Sequence, residues 1–262
     1  MKTFLSLCFC LFVSCAVQSQ ILNIDKTDTL AYDHHSKINL LLNSGLEIDK
    51  QRTTLYDASN AVETLWQDYK ELFILAGSYR FTYNGPADIL NAGYIHLRYR
   101  HGYKNKLQPE PFIQYQWDSE RGIIHRFLSG ANLRYNLLKG NSFDFNAGLG
   151  LMFESEKWNY VAVDSLKIPS GASTITTRFA KLNSNLRFDW RTSRNSSITF
   201  SSFLQTRFTK FWPRIAPQVQ WDIKAGKHVG FSIGFTGVYD THPVVPIERF
   251  YYSLTNSLQL SF

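Results

Sequence analysis

Between Phe143 and Glu154 the chain alternates without a break. Phe143, Phe145, Ala147, Leu149, Leu151 and Phe153 share one parity, and Asp144, Asn146, Gly148, Gly150, Met152 and Glu154 share the other. Successive side chains of a strand point to opposite faces, so this stretch has one wholly apolar face and one polar or small face. The period of two recurs elsewhere. Phe73, Leu75, Tyr79, Phe81 and Tyr83 oppose Ser78, Arg80, Thr82 and Asn84, and Ala180, Leu182, Leu186, Phe188 and Trp190 interleave with Lys181, Asn183, Asn185, Arg187 and Asp189. The last run sets Phe250, Tyr252, Leu254, Leu258, Leu260 and Phe262 against Tyr251, Ser253, Thr255, Ser257, Gln259 and Ser261. A helical period competes only weakly, around Ala58 to Leu72.

Turn residues between such runs delimit about twelve strands, at 37–49, 53–66, 71–84, 89–102, 110–118, 123–137, 142–154, 175–191, 197–209, 214–224, 228–240 and 248–262. Short connections such as Leu138-Lys139-Gly140-Asn141 and Thr192-Ser193-Arg194-Asn195 read as hairpin turns, which makes the whole an antiparallel meander. Pro217 cannot donate to a ladder, so the tenth strand is expected to bulge or end early there.

Two architectures suit this meander. In a soluble sandwich the apolar faces meet inside, whereas in a transmembrane barrel they meet lipid and the polar faces line the lumen. Three features favour the barrel. Strands of this length can cross an outer membrane at the usual tilt. The chain is 15% aromatic, and Tyr79, Tyr83, Trp117, Tyr135, Trp190, Trp221 and Tyr239 recur near the ends of the apolar stripes, where girdles sit. Connections near 138–141, 192–196 and 225–227 are short, while 155–174 and 241–247 are longer, the asymmetry expected when both termini face the periplasm. Phe262, in register with Leu260, Leu258 and Leu254, resembles the C-terminal signal through which outer-membrane proteins engage the barrel-assembly machinery. The expected fold is therefore all-β, an antiparallel transmembrane β-barrel of about twelve strands over residues 37–262.

Ahead of it, Met1-Lys2-Thr3 and the apolar run Phe4 to Val17 read as a signal peptide over residues 1–19, cut after Ser19. Residues 20–36 then form a periplasmic segment, and the mature chain is expected in the outer membrane of a Gram-negative bacterium. All three cysteines, Cys8, Cys10 and Cys15, leave with the signal, which excludes a disulfide framework, a thiol nucleophile and a cysteine metal site. Losing Lys2 lowers the formal charge from +7 to +6, but no clustered basic run or zinc-finger spacing points to nucleic acid.

The stretches Asn91-Ala92-Gly93-Tyr94, Phe112-Ile113-Gln114-Tyr115-Gln116-Trp117-Asp118, Leu128-Ser129-Gly130-Ala131-Asn132-Leu133-Arg134-Tyr135 and Asn146-Ala147-Gly148-Leu149-Gly150 resemble the salt-induced outer-membrane protein family, a domain family of unknown function. The likeness is strongest over residues 71–158. It implies a small outer-membrane barrel associated with salt or envelope stress, and it carries no catalytic residues.

Strand parity turns Arg80, His96, Arg98, Arg100, Arg126, Arg134, Lys181, Arg187, Arg207 and Lys224 inward, opposite Glu110, Asp144, Glu154, Asp189 and Asp222. The five-residue basic cluster Arg80, Arg98, Arg126, Arg134 and Arg187 is the candidate site. It reads either as a ring favouring anions in a narrow pore or as partners in an ion-paired filling. An outer-membrane lipid hydrolase needs a serine, a base and an orienting group near the membrane surface, and the candidates His34-His35-Ser36 and His125 with Ser129 fit that poorly. Asp240-Thr241-His242, with Glu248, resembles half of a protease or metal site. Gly148 and Gly150 are expected to relieve crowding. The resulting expectation is a monomeric, non-enzymatic barrel without metal or cofactor. Its partners are outer-membrane lipid, lipopolysaccharide and the assembly machinery, its role is structural or envelope-associated, and the alternatives are a small-anion pore and a lipid hydrolase.

Overall fold

The computed structural model describes residues 38–50, 54–84, 87–226 and 229–260. The signal peptide, the periplasmic segment with His34, His35 and Ser36, and the terminal Phe262 lie outside the described residues. Twelve strands follow one another: β1 Ile38–Lys50, β2 Thr54–Asp68, β3 Glu71–Asn84, β4 Ala87–His101, β5 Leu107–Asp118, β6 Ile123–Lys139, β7 Phe143–Asn159, β8 Thr174–Ser193, β9 Ser196–Arg207, β10 Arg214–Lys224, β11 Val229–Asp240 and β12 Phe250–Leu260. They form one antiparallel sheet in sequence order, a meander of nearest neighbours. The shortest strands have 11 residues, enough for a tilted strand to cross a bilayer.

The sheet curls on itself. β6 and β12 stand six places apart, about 29 Å in a flat sheet at the usual strand spacing. Yet the guanidinium of Arg121, in the turn before β6, lies 3.9 Å from the ring centre of Tyr251 on β12. Arg126 on β6 reaches Gln205 on β9 at 3.2 Å, and Asn183 on β8 reaches Asn132 on β6 at 3.0 Å. Those residues are buried, so the concave face is the polar one. Among the described residues the ladders run from β1 to β12, and one between β12 and β1 is not among them.

The alternation in the sequence maps directly onto these two faces. On β7, Leu149, Leu151 and Phe153 are exposed, while Met152, Glu154 and Glu156 are buried. On β12, Phe250, Tyr252, Leu254 and Leu258 are exposed. Tyr79, Tyr135, Trp190, Trp221 and Tyr239 also lie on the convex surface, as the girdle pattern predicts.

Most strand limits fall within a few residues of those expected, and three features differ more. β7 continues to Asn159 and β8 starts at Thr174, so the connection expected from Ser155 is shorter, and it holds a 3-10 turn at Ser165–Lys167. β10 neither bulges nor ends at Pro217. Ile215 pairs with Tyr239 and Gln218 with Thr236 in one unbroken register, with Ala216 and Pro217 skipped on that side, while Pro217 stays opposite Ser202 of β9. A proline omits one donor, and the pairing resumes because neighbouring residues hold the register from both sides. The interior is also less polar than parity suggested. Leu65, Leu72, Ile74, Ala76 and Tyr94 form a buried apolar cluster on β2–β4, with Tyr103 packed against it.

Two glycines of β7 make room for inward side chains of its ladder neighbours β6 and β8. A Cβ on Gly150 would sit 2.1 Å from the Ala131 carbonyl oxygen and 2.3 Å from Asn132 Oδ1, and one on Gly148 would sit 2.0 Å from Asn185 Oδ1. Relief of crowding is thus their role. Gly150→Ala is expected to destabilise the fold by about 1–3 kcal/mol, because the obstacle includes backbone that cannot swing away. A urea titration of refolded protein that leaves the midpoint unchanged would remove this account of the close approach.

Candidate functional site

The inward charges are gathered by strand pleat into compact ion-paired groups. The largest lies on β6, β7, β8, β10 and β11. Register places Leu128 opposite Glu154 and Arg126 opposite Glu156, so two carboxylates of β7 point inward beside the arginine of β6. Arg126 reaches Glu154 at 2.5 Å and Glu156 at 2.9 Å. Arg214 crosses from β10 to the same two carboxylates at 3.1 and 2.9 Å, and its Nε donates to Asp240 Oδ2 at 2.7 Å. Lys181 pairs with Glu154 from β8. Glu154 is 1% exposed, and a carboxylate that deeply buried is tolerable only when its charge and lone pairs are met. Gln116 and Gln205 accept further bonds from Arg126.

A second group centres on Glu110 of β5. Arg100 Nε donates to it at 2.5 Å, and Arg98 and Arg134 approach it at 3.9 and 3.8 Å. Nearer the end where the described chain begins and ends, Arg187 forms two bonds to Asp189, at 2.6 and 2.7 Å, and Thr199 donates to the same carboxylate. Arg80 pairs with Asp57 at 3.0 Å in a more open setting. The structure therefore brings Arg98 and Arg134 together on one carboxylate, but it places Arg126 in the Glu154–Glu156 group and Arg80 and Arg187 with Asp57 and Asp189. The five do not form one basic ring. Each faces an acid.

Parity placed most of these side chains correctly, with two departures. Lys224 is exposed, because it ends β10 where the wall stops. Arg207 is half-buried at the opposite mouth. Two central members, Glu156 and Arg214, escaped the sequence reading. Glu156 lay beyond the expected end of β7, and Arg214 opens β10, yet each shares the parity of an inward residue two or more places along, Glu154 and Asp222 respectively.

Apolar packing covers one end of these charged groups. At the end bearing the longer connections, Ile123, Trp158, Val163 and Val245 are buried together, with Tyr160, Ile168, Ile175, Val244 and Ile247 against them. The two long connections thus pack onto each other. In the turn below, Arg121 donates its backbone N–H to Asp118 at 3.1 Å. Burial lowers the Arg121 pKa, and the Asp118 carboxylate acts in the opposite direction. At mid-height Phe112, Leu128 and Met152 also point inward.

On the concave side lies a cavity of about 30 Å³, bordered by His96, Arg98, Gln114, Arg126, Asn183 and Gln205 and walled by Phe112, Leu128 and Phe203. That volume suits bound water and is too small for an organic solute. His96 Nδ1 is 3.0 Å from Gln114 Oε1.

The other sequence candidates are engaged structurally. Asp240 accepts from Arg214 and from the backbone N–H of His242, and the His242 ring stacks on Trp212 at 4.3 Å. His125 stacks on Tyr115 across the sheet, 6.4 Å between ring centres. Among the described residues no group of three or more His, Cys, Asp or Glu side chains is placed to hold a metal ion.

No family model and no curated protein matches the chain. Among solved structures, a NanC porin in a rhombohedral crystal form is similar, with a TM-score of 0.46 and 10% identity, over 85% of this chain and 100% of that one.

Because Glu154 is shared by three cations, Glu154→Gln should lower the unfolding free energy by about 3–5 kcal/mol, the usual result of leaving buried partners uncompensated. Arg80→Gln, at a single part-buried pair with more access to water, should cost clearly less, about 1 kcal/mol. Denaturant titration of the two refolded variants checks the contrast, and equal losses would refute the ranking.

Proposed function

We propose that this chain is an outer-membrane β-barrel, closed by pairing of β12 with β1, whose role is structural or envelope-associated rather than catalytic. The observation that carries the reading is inverted burial. Leu149 and Leu151 at the middle of β7 are 62% and 59% exposed, while Arg126 and Glu154 are 1% exposed. Water would disfavour so many apolar side chains spread over the convex face of every part of the sheet, whereas lipid accepts them without cost. Its expected partners are outer-membrane lipid, lipopolysaccharide and the barrel-assembly machinery, and the expected state is a monomer. The envelope-stress element rests on the family likeness over residues 71–158.

A filled interior supports the structural role. The described inward arginines meet carboxylates, an apolar cluster closes the end with the longer connections, and the cavity beside Arg98 and Arg126 is water-sized. Conduction through a narrow pore is the second reading, and the space beside Arg98 and Arg126 is where its path would run.

Two measurements test these readings separately. Leu151→Arg puts a charge on the convex face at mid-strand. In a bilayer this should cost about 2–4 kcal/mol and reduce heat-modifiable, membrane-inserted protein. A soluble chain would carry that substitution on an exposed site with little effect, so an unchanged yield would refute the membrane placement. Planar-bilayer recordings of wild-type protein should show no steady open-channel conductance. Reproducible conductance with anion preference would instead establish the pore.

A further inference from the structure

β1 and β12 are the outer strands of the sheet, and each has one edge outside the ladders among the described residues. Such an edge is a row of backbone donors and acceptors that lipid cannot satisfy, so it needs a partner strand. The convex stripes of the two strands carry a matched interruption. On β1, Leu40, Leu42, Leu46 and Ile48 are exposed, and Ser44 stands between them. On β12, Phe250, Tyr252, Leu254 and Leu258 are exposed, and Asn256 stands between the two leucines. Ser44 Oγ donates to Asn60 Oδ1 on β2 at 2.8 Å, which leaves its oxygen as an acceptor. The ladders give a second, independent measure. On the concave face Asn39 leads strand by strand through Leu65, Arg98 and Met152 to Lys181 on β8. Six residues further along β8, Arg187 leads through Ser201, Gln218 and Thr236 to Ser253 on β12.

We propose that the β1 edge takes the chain's own last strand, and not a second copy, in the one register that sets Asn256 opposite Ser44. Leu258 then faces Leu42, Leu254 faces Leu46 and Tyr252 faces Ile48. The proposal rests on the outer-membrane placement above and adds to it the seam and its partner. Only even slips keep the two faces of the sheet continuous. A slip of two residues either way would put Asn256 against Leu42 or Leu46 and leave an amide and a hydroxyl apart among aliphatic side chains in lipid. In the proposed register the Asn256 amide donates to the Ser44 oxygen, and the two interruptions satisfy each other. The same register lays the whole of Phe250–Leu260 along β1. It also sets Ser253 opposite Glu47, eight residues beyond Asn39. With the six residues taken along β8, the circuit closes on a stagger of about 14 residues around the twelve strands. At about 3.3 Å per residue and about 4.8 Å between strands, that stagger tilts the strands by about 40°, the middle of the range that closed barrels adopt.

The test uses double-cysteine variants of the full chain, produced in a Gram-negative host and treated in isolated membranes. The reagent is a bifunctional thiol cross-linker spanning about 5 Å, the separation of directly opposed Cβ atoms. Wild type, with cysteines only at Cys8, Cys10 and Cys15, is the blank, and Ile233→Cys/Asn256→Cys on the β11–β12 ladder sets the full yield. Ser44→Cys/Asn256→Cys and Leu46→Cys/Leu254→Cys should each give an intramolecular cross-link, read as a shifted denatured monomer. Their yield should exceed about fivefold that of the slipped pairs Leu42→Cys/Asn256→Cys and Leu46→Cys/Asn256→Cys, whose Cβ atoms would lie about 7–8 Å apart. A higher yield in either slipped pair would overturn the register. A cross-linked dimer in place of the shifted monomer would give the edge to a second copy. No cross-link in any seam pair, with the ladder control at full yield, would overturn the seam itself. Recovery of wild type in the soluble fraction, without heat-modifiable migration, would instead strike at the outer-membrane reading.

Discussion

Glu154 is buried to the point that its carboxylate meets almost no water, and the rest of the interior is arranged around that fact. Three cations from three other strands, Arg126, Lys181 and Arg214, converge on it. Arg214 then engages Glu156 and Asp240, which ties β7, β10 and β11 together through charge across the concave side. A meander held only by neighbouring ladders could twist open. These cross-sheet pairs resist that, because opening the curl would separate buried opposite charges before water could solvate them.

The same constraint shapes the ends. Charges pair well only where water is limited, and apolar side chains limit it here. Leu72 and Ile74 stand beside Arg100 and Arg98 on the neighbouring strand, and Trp158, Ile123 and Val245 close the end with the longer connections. The long connections contribute directly to the second cluster, so their length serves packing as well as passage of the chain. At the rim the arrangement changes: Arg207 is met by Phe179 and Trp212, where a deeper arginine would meet a carboxylate.

Much of the fold was legible because a strand's side-chain period is two, and parity assigns every residue of a run to one face. β7 and β8 show this most clearly: the residues read as apolar-face lie on the more exposed side and those read as polar-face on the more buried side. Legibility failed where local pattern and packing diverged. Glu156 looked like loop because it follows the strand's last apolar-face phenylalanine, Phe153, with only Ser155 and Lys157 continuing that parity. Pro217 looked like a break, although register is a property of the whole ladder and outlasts one missing donor. Leu72 and Ile74 are inward although parity gave that face to polar residues, since burial depends on what covers a position and not only on its neighbours along the chain.

By itself the sequence determined an antiparallel, two-faced set of about twelve strands, with basic side chains on the side opposite the aliphatic stripes. Those are local properties, written in alternation and turn residues. Which acid meets which base was decided only by the tertiary structure. Arg98 and Arg134 share Glu110, Arg126 takes Glu154 and Glu156, and Arg187 keeps Asp189, because partners from non-adjacent strands are set by how tightly the sheet curls. Curl is a collective property of all the ladders and of the glycines that let β6, β7 and β8 approach, and no single run of residues encodes it.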